Sequence, residues 1–260
     1  MKLRSIPGTD LQVSALGLGT VALGRNWGLK YPRRQPLPSD SEVESLLDAA
    51  QDWGINLLDT APAYGTSEER LGVYLKGRRR HWIICTKVGE ESSPDGSQFD
   101  FRPSVIEKSI DRSLLRLGVD ELDIVLIHSD GQDLEHLPAL AVLRDLQRVG
   151  KVRATGFSAK TVQGGLRAVE QCDVVMVTYH PGFPGQEAVL DAATGKTGIL
   201  LKKSLDSGKF TTRDQIRASL KFGYAHAATT SVVVGTTRRE HLAEVVEAAE
   251  IGSRASPAHG

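Results

Sequence analysis

Ile55-Asn56-Leu57-Leu58-Asp59, Trp82-Ile83-Ile84-Cys85-Thr86-Lys87 and Leu122-Asp123-Ile124-Val125-Leu126-Ile127-His128 are short apolar runs, each closing on an ionisable residue. Runs of this length bounded by turn or helix signals suit strands covered on both faces, as in a parallel sheet. Between them lie amphipathic stretches. Ser67-Glu68-Glu69-Arg70 puts a hydroxyl and early acids at a helix start, Pro103 suits the first turn of a helix over 103–117, and Gly118 suits its end. Farther along, 152–157, 173–178, 198–202 and 231–234 read as strands, and 161–170, 186–193, 213–222 and 238–250 as helices. A first strand near 15–18 and a first helix near 40–53 complete eight βα units, the number in a (β/α)8 TIM barrel; an open doubly wound sheet is the competing fold. Residues 1–13 alternate weakly around Pro7-Gly8-Thr9 and predict a β-hairpin closing the bottom of the barrel.

The length of 260 residues matches the ~250 typical of one such barrel, so a single domain over 1–260 is expected, with 252–260 as a fraying tail. Zero net charge gives no general pull toward nucleic acid or an anionic membrane. The basic run Lys76-Gly77-Arg78-Arg79-Arg80 falls where a helix returns to the next strand, away from the C-terminal strand ends, and reads as a solvated turn. Cys85 and Cys172 lie inside predicted strands without any metal-site or disulfide spacing, as buried thiols in a reducing compartment would. Met1-Lys2-Leu3-Arg4 opens without an apolar signal core, and no apolar run approaches the ~20 residues of a membrane span, so the expected location is cytoplasmic.

In a barrel the C-terminal strand ends gather at one mouth. Asp59, Lys87, His128, Ser158 and Tyr179 all fall at such ends, and Tyr64 follows Asp59 by five residues in Asp59-Thr60-Ala61-Pro62-Ala63-Tyr64-Gly65. A phenol, with an ordinary pKa near ~10, is a poor acid at neutral pH unless its anion is stabilised. An ammonium such as Lys87 does that by charge attraction, a carboxylate such as Asp59 keeps the ammonium charged, and His128 can donate to a carbonyl or share the phenol's proton. The set fits protonation of a carbonyl oxygen, and it needs a hydride source to reduce anything.

Asp59-x-Ala61-x-x-Tyr64-Gly65-x-Ser67-Glu68, Thr86-Lys87 and Ile127-His128-Ser129-Asp130 resemble the aldo-keto reductases, barrel oxidoreductases that use nicotinamide cofactors, over about residues 2 to 250. The resemblance implies Tyr64 as general acid, Lys87 as its activator, His128 as the substrate-orienting group and Asp59 as the lysine's partner. It places Ser158 of Gly156-Phe157-Ser158-Ala159 on the nicotinamide carboxamide, with Tyr179 stacked on the ring. Gly17-Leu18-Gly19-Thr20 lets the first loop approach that ring. Val234-Gly235-Thr236-Thr237-Arg238-Arg239-Glu240-His241-Leu242 resembles the element for the adenosine 2′-phosphate. Hydroxyls and N–H groups opening a helix make an anion site there, and Arg238 favours NADPH over NADH. Lys203 is either a pyrophosphate contact or a solvated lysine.

The chain departs from the pattern at Ala159 and Met176, where Asn and Gln are usual, and at Val245, where an Asn often meets adenine. By the same resemblance it is expected to lack a long cofactor-clamping loop and a C-terminal substrate loop. Loop 24–39, with Trp27, Tyr31 and Arg33-Arg34, is the remaining candidate for a substrate wall, or else a solvent-facing loop. The expected function is an NADPH-dependent oxidoreductase acting on a small carbonyl or alcohol substrate. The alternatives are a nucleotide-binding regulatory or structural protein and, leaving the Asp-Tyr-Lys-His set without purpose, a phosphate-binding isomerase.

Overall fold

The computed structural model describes residues 1–29 and 36–254. Two short strands, β1 (Leu3–Ser5) and β2 (Gln12–Ser14), pair antiparallel as the predicted N-terminal hairpin. Then come β3 (Leu16–Gly19), β4 (Leu57–Asp59) and β5 (Ile83–Val88). A second hairpin, β6 (Glu90–Ser93) with β7 (Gly96–Phe99), follows at once. The remaining strands are β8 (Leu122–His128), β9 (Val152–Ser158), β10 (Val174–Thr178), β11 (Gly198–Lys202) and β12 (Thr229–Gly235). Strands β3, β4, β5, β8, β9, β10, β11 and β12 form a closed parallel barrel, with β12 pairing β3 through Val232–Leu16 to Gly235–Gly19. Closure removes the sheet edges and excludes the open doubly wound alternative.

The helices sit between strands as the periodicity requires. Asp40–Asp52 begins with a capping box, in which Ser39 and Glu42 each bond the other's backbone N–H. Pro103 opens Pro103–Leu117, and Gly118 ends it in the left-handed region at φ 65°. The helix start at Ser67 differs from expectation: its hydroxyl is 2.7 Å from Thr20 Oγ1 and 3.0 Å from Thr60 Oγ1, tying the loops after β3 and β4 together instead of capping. Between β8 and β9, where the sequence reading drew no helix, short turns at Asp133–His136 and Leu137–Ala139 lead into Leu140–Arg148.

Two apolar layers result. One lies between the barrel and its helices, and the other fills the lumen with Leu57, Cys85, Ile124, Leu126, Met176 and Leu200. Ile6, Leu11 and Val13 of the first hairpin enter the lumen layer and close the bottom. The basic run is held by carboxylates: Arg79 lies 2.6 Å from buried Asp123, which also meets Arg153 at 2.8 Å, and Arg78 pairs with Glu44 and Asp48. Of the expected tail, 252–254 continues the last helix, Arg239–Arg254, and the rest lies outside the described residues.

Candidate active site

Alternate side chains of a strand face opposite sides. Because Leu57, Cys85, Leu126 and Leu200 point into the lumen, the residues two farther on, Asp59, Lys87, His128 and Lys202, point into its upper end. Ser158, four beyond lumen-facing Ala154, has the same parity. All five line one cavity of about 520 Å³ at the C-terminal strand ends. A wider groove of about 1080 Å³ runs outside, along the helix Val162–Val169, and holds none of these groups.

Lys87 is buried, its Nζ donating to Asp59 Oδ1 at 2.5 Å and to the Thr60 carbonyl at 2.8 Å. Burial opposes its charge most strongly, but the Asp59 carboxylate, Tyr64 and Cys85 together outweigh burial and hold the ammonium's pKa above the ordinary lysine value. The same Nζ stands 4.6 Å from the centre of the Tyr64 ring. Tyr64 ends a single turn, Pro62–Tyr64, that packs against Gly24, where a Cβ would come within 2.0 Å of the Tyr64 carbonyl oxygen. Ser67 and Glu68 brace this loop from behind, Glu68 Oε1 accepting from Thr86 Oγ1 at 2.7 Å. Burial pushes the phenol's pKa up to about 12 and Asp59 adds to this; Lys87 pulls it down as expected, as does Arg25, without prevailing. Tyr64 therefore holds its proton at neutral pH.

The His128 ring stands edge-on to Tyr64, with centroids 6.2 Å apart. Its Nδ1 lies 2.8 Å from Glu90 Oε2 on β6, a partner absent from the sequence reading. Burial lowers the imidazole to about 4, more than Glu90 raises it. Glu90 also accepts from Ser97 Oγ of β7 at 2.6 Å; despite partial burial, His128 and Ser97 bring its carboxyl down to about 2. The signal for this element was the turn sequence Pro94-Asp95-Gly96, six residues beyond Val88.

Of the expected cofactor residues, Gly19, Asp59, Ser158, Lys203, Gly235, Arg238 and His241 line the cavity. Thr20 is turned inward, donating to the Asp59 carbonyl at 2.9 Å. Thr236 Oγ1 accepts from the Arg238 N–H at 3.1 Å, and neither it nor Thr237 lines the cavity. Tyr179 requires a correction. Met176 faces the lumen, so Tyr179, three residues on, faces the helices, its ring 4.7 Å from Phe222 and its hydroxyl 3.5 Å from Glu187 Oε1. The strand-end position that does reach the cavity on that side is Lys202, whose Nζ donates to Ser158 Oγ at 2.7 Å. The parity of Gly198, Leu200 and Lys202 was the available signal for it.

Met176 lines the cavity, Ala159 is buried, and Val245 is wholly buried in the outer core. Three non-glycine residues just past β11, Lys203, Asp206 and Ser207, have φ between 46° and 57°, and this left-handed loop forms part of the wall. Ser204 Oγ, on the same loop, is buried without a hydrogen-bond partner among the described residues. Arg25, Gly28 and Leu29 bring the start of loop 24–39 to the opposite wall; Tyr31, Arg33 and Arg34 lie outside the described residues.

The family model described as "Aldo/keto reductase family" matches residues 15–182, more than half of the chain. The chain belongs to this family. As an aldo-keto reductase it is an oxidoreductase, and its barrel and bottom-closing hairpin agree with that membership. It is 30% identical over 230 residues to a D-threo-aldose 1-dehydrogenase of a Pseudomonas species, covering 76% of this chain and 68% of that one. It is 33% identical over 174 residues to an NADH-specific methylglyoxal reductase of Escherichia coli, covering 60% of this chain and 51% of the relative. A solved structure assigned to the aldo-keto reductases, from Pseudomonas aeruginosa, is 43% identical and superposes with a TM-score of 0.88, covering 96% of this chain and 95% of that one.

Proposed function

We propose that this aldo-keto reductase uses NADPH to reduce a small aldehyde or ketone to an alcohol, or runs the reverse reaction, with Tyr64 as general acid. The observation that carries the reading is the meeting of a protonated phenol, an ion-paired ammonium and a neutral imidazole on one cavity whose outer end is lined by Arg238 and His241. Ser204 Oγ in the wall, without a partner among the described residues, fits a polar ligand there. A nicotinamide cofactor would supply hydride, held at its ring end by Ser158 and Lys202 and at its adenosine end by Gly235, Arg238 and His241. The Arg238 guanidinium suits a 2′-phosphate, which is the ground for NADPH over NADH.

Tyr64 gives its proton to the carbonyl oxygen as negative charge develops there. Lys87 then stands beside the phenolate left behind, and Asp59 keeps the ammonium charged and aimed. Glu90, ionised, lies 2.8 Å from His128 Nδ1, but the pair lacks hydrogen-bond geometry, so neither ring nitrogen is fixed as the carrier of the neutral ring's single hydrogen. A ring nitrogen facing the substrate donates to a carbonyl in one tautomer and accepts from an alcohol hydroxyl in the other. In oxidation each proton step reverses. Cys85 and Cys172, both free thiols, suit a reducing compartment such as the cytoplasm.

A nucleotide-binding regulatory protein is the second reading, favoured by Ala159 and Met176, which offer a carboxamide no polar side chain. Tyr64→Phe separates the two. It leaves the ring, so NADPH binding persists while kcat for aldehyde reduction falls on the order of 10²–10⁴-fold. Near wild-type kcat on a substrate whose chemical step limits the rate would place the general acid elsewhere. A wild type that binds NADPH yet reduces no carbonyl in a broad panel would establish the regulatory reading instead.

A further inference from the structure

Lys202 is an inward-facing strand-end charge in the cavity that the proton-transfer set does not use. It ends β11 facing inward, and its Nζ donates to a neutral group, the Ser158 hydroxyl, at 2.7 Å. The carboxylates nearest the reaction centre are engaged elsewhere: Asp59 with Lys87 at 2.5 Å, and Glu90 with His128 at 2.8 Å. Among the described residues Lys202 makes no ion pair of its own. Burial, then Lys203, Lys87 and Lys160, bring its pKa down to about 7, against a smaller raising contribution from Asp133. Arg25 and Arg238 line the same cavity, as do Asp59 and Glu90, which are engaged with Lys87 and His128, and Glu244.

Its place relative to the chemistry follows from the reaction. Hydride and proton go to the two ends of one C=O bond, so the hydride donor must lie about 3–3.5 Å from the carbon whose oxygen faces Tyr64. Ser158, which Lys202 contacts at 2.7 Å, pairs in register with His128 across β8 and β9, and Lys202, Ser158 and His128 line one cavity with Tyr64 and Lys87. Oxidised nicotinamide carries a positive charge on the ring, whereas the reduced ring is neutral; the phosphates and adenosine are the same in both. An ammonium near the ring therefore acts on the one part of the cofactor that changes charge.

We propose that Lys202 makes the cavity read the oxidation state of the nicotinamide, binding reduced cofactor and rejecting the oxidised form. This rests on the reductase reading above and deepens it. The ammonium leaves a neutral ring undisturbed and repels a cationic one, so the protein loads with NADPH and releases NADP⁺ after turnover. Lys202 is also a donor beside Ser158, on the side of the cavity where Ala159 and Met176 offer none.

The test is a set of Kd values, read by fluorescence or calorimetry without turnover, for NADPH, NADP⁺ and 2′-phospho-ADP-ribose, which keeps the phosphates and lacks the nicotinamide. At pH 6, below the Lys202 pKa of about 7, the side chain is mostly an ammonium, and wild type is expected to bind NADPH about tenfold more tightly than NADP⁺, a gap that should close toward pH 8 as Lys202 loses its proton. Lys202→Met should bring the two within about threefold, Lys202→Arg should keep the gap, and 2′-phospho-ADP-ribose should bind all three proteins alike, which also reports that the variants are folded. An unchanged NADP⁺/NADPH ratio in Lys202→Met overturns the proposal. A parallel loss of all three ligands also overturns it, making Lys202 a phosphate contact. If wild type binds 2′-phospho-ADP-ribose but neither dinucleotide, or binds none of the three, the reductase reading fails first and this inference with it.

Discussion

Arg238 is exposed at the outer end of the cavity, on the turn that leads into the last helix. A guanidinium there can grip a 2′-phosphate with two charge-assisted hydrogen bonds, and NADH has nothing to offer it. Arg238→Ala should weaken NADPH binding by roughly 1.5–3 kcal/mol in a fluorescence titration and leave NADH unchanged. Equal losses for both would show that Arg238 does not read the phosphate. At this scale the strand ends Asp59, Lys87, His128 and Ser158 were legible because each closes an apolar run with inward parity. Tyr179 was misplaced because the apolar run of β10 ends one residue earlier in register than the aromatic residue invites. Lys202 was passed over because a lysine after Leu-Leu looks like a solvated strand end.

Glu90 shows how an element carries a residue into the site. It directly follows Gly89, whose φ of 101° turns the chain out of β5, and the β6–β7 hairpin holds its carboxylate against His128 and Ser97. Its folded pKa, about 2, lies below the ordinary 4.5. The stability it contributes is therefore fully present above pH 4.5 and is lost as pH falls through about 2. Glu90→Gln should cost about 1 kcal/mol at pH 7, with a lower Tm than wild type, and the gap should narrow steadily below pH 4.5. A gap constant down to pH 2.5 would mean that the carboxylate's charge contributes nothing. The hairpin itself was missed because Glu90-Glu91-Ser92-Ser93 has no apolar alternation: only Pro94-Asp95-Gly96 marks it, and its strands pair with each other outside the barrel. The Lys76–Arg80 run was legible only as charge. That Arg79 and Arg153 clamp the buried Asp123 depends on neighbours 44 and 30 residues away.

The whole barrel depends on a filled lumen, and its bottom is filled by a segment that precedes the first barrel strand. Leu11 is buried among Ile6, Val13 and the lumen residues. Leu11→Ala should destabilise the fold by about 2–5 kcal/mol in denaturant unfolding, because the closed ring of strands restricts collapse into the vacated space. A loss below about 0.5 kcal/mol would show that the plug contributes nothing to the barrel. The sequence by itself determined the eightfold alternation, the hairpin and the Asp-Tyr-Lys-His set, since apolar period and motif spacing are local properties. The tertiary structure decided which strand-end side chains face the cavity, that burial outweighs Lys87 at the Tyr64 phenol, and that Glu90 and Lys202 join the site. Those outcomes depend on barrel closure and on distances between residues far apart in the chain, and no local pattern encodes the resulting electrostatic environment.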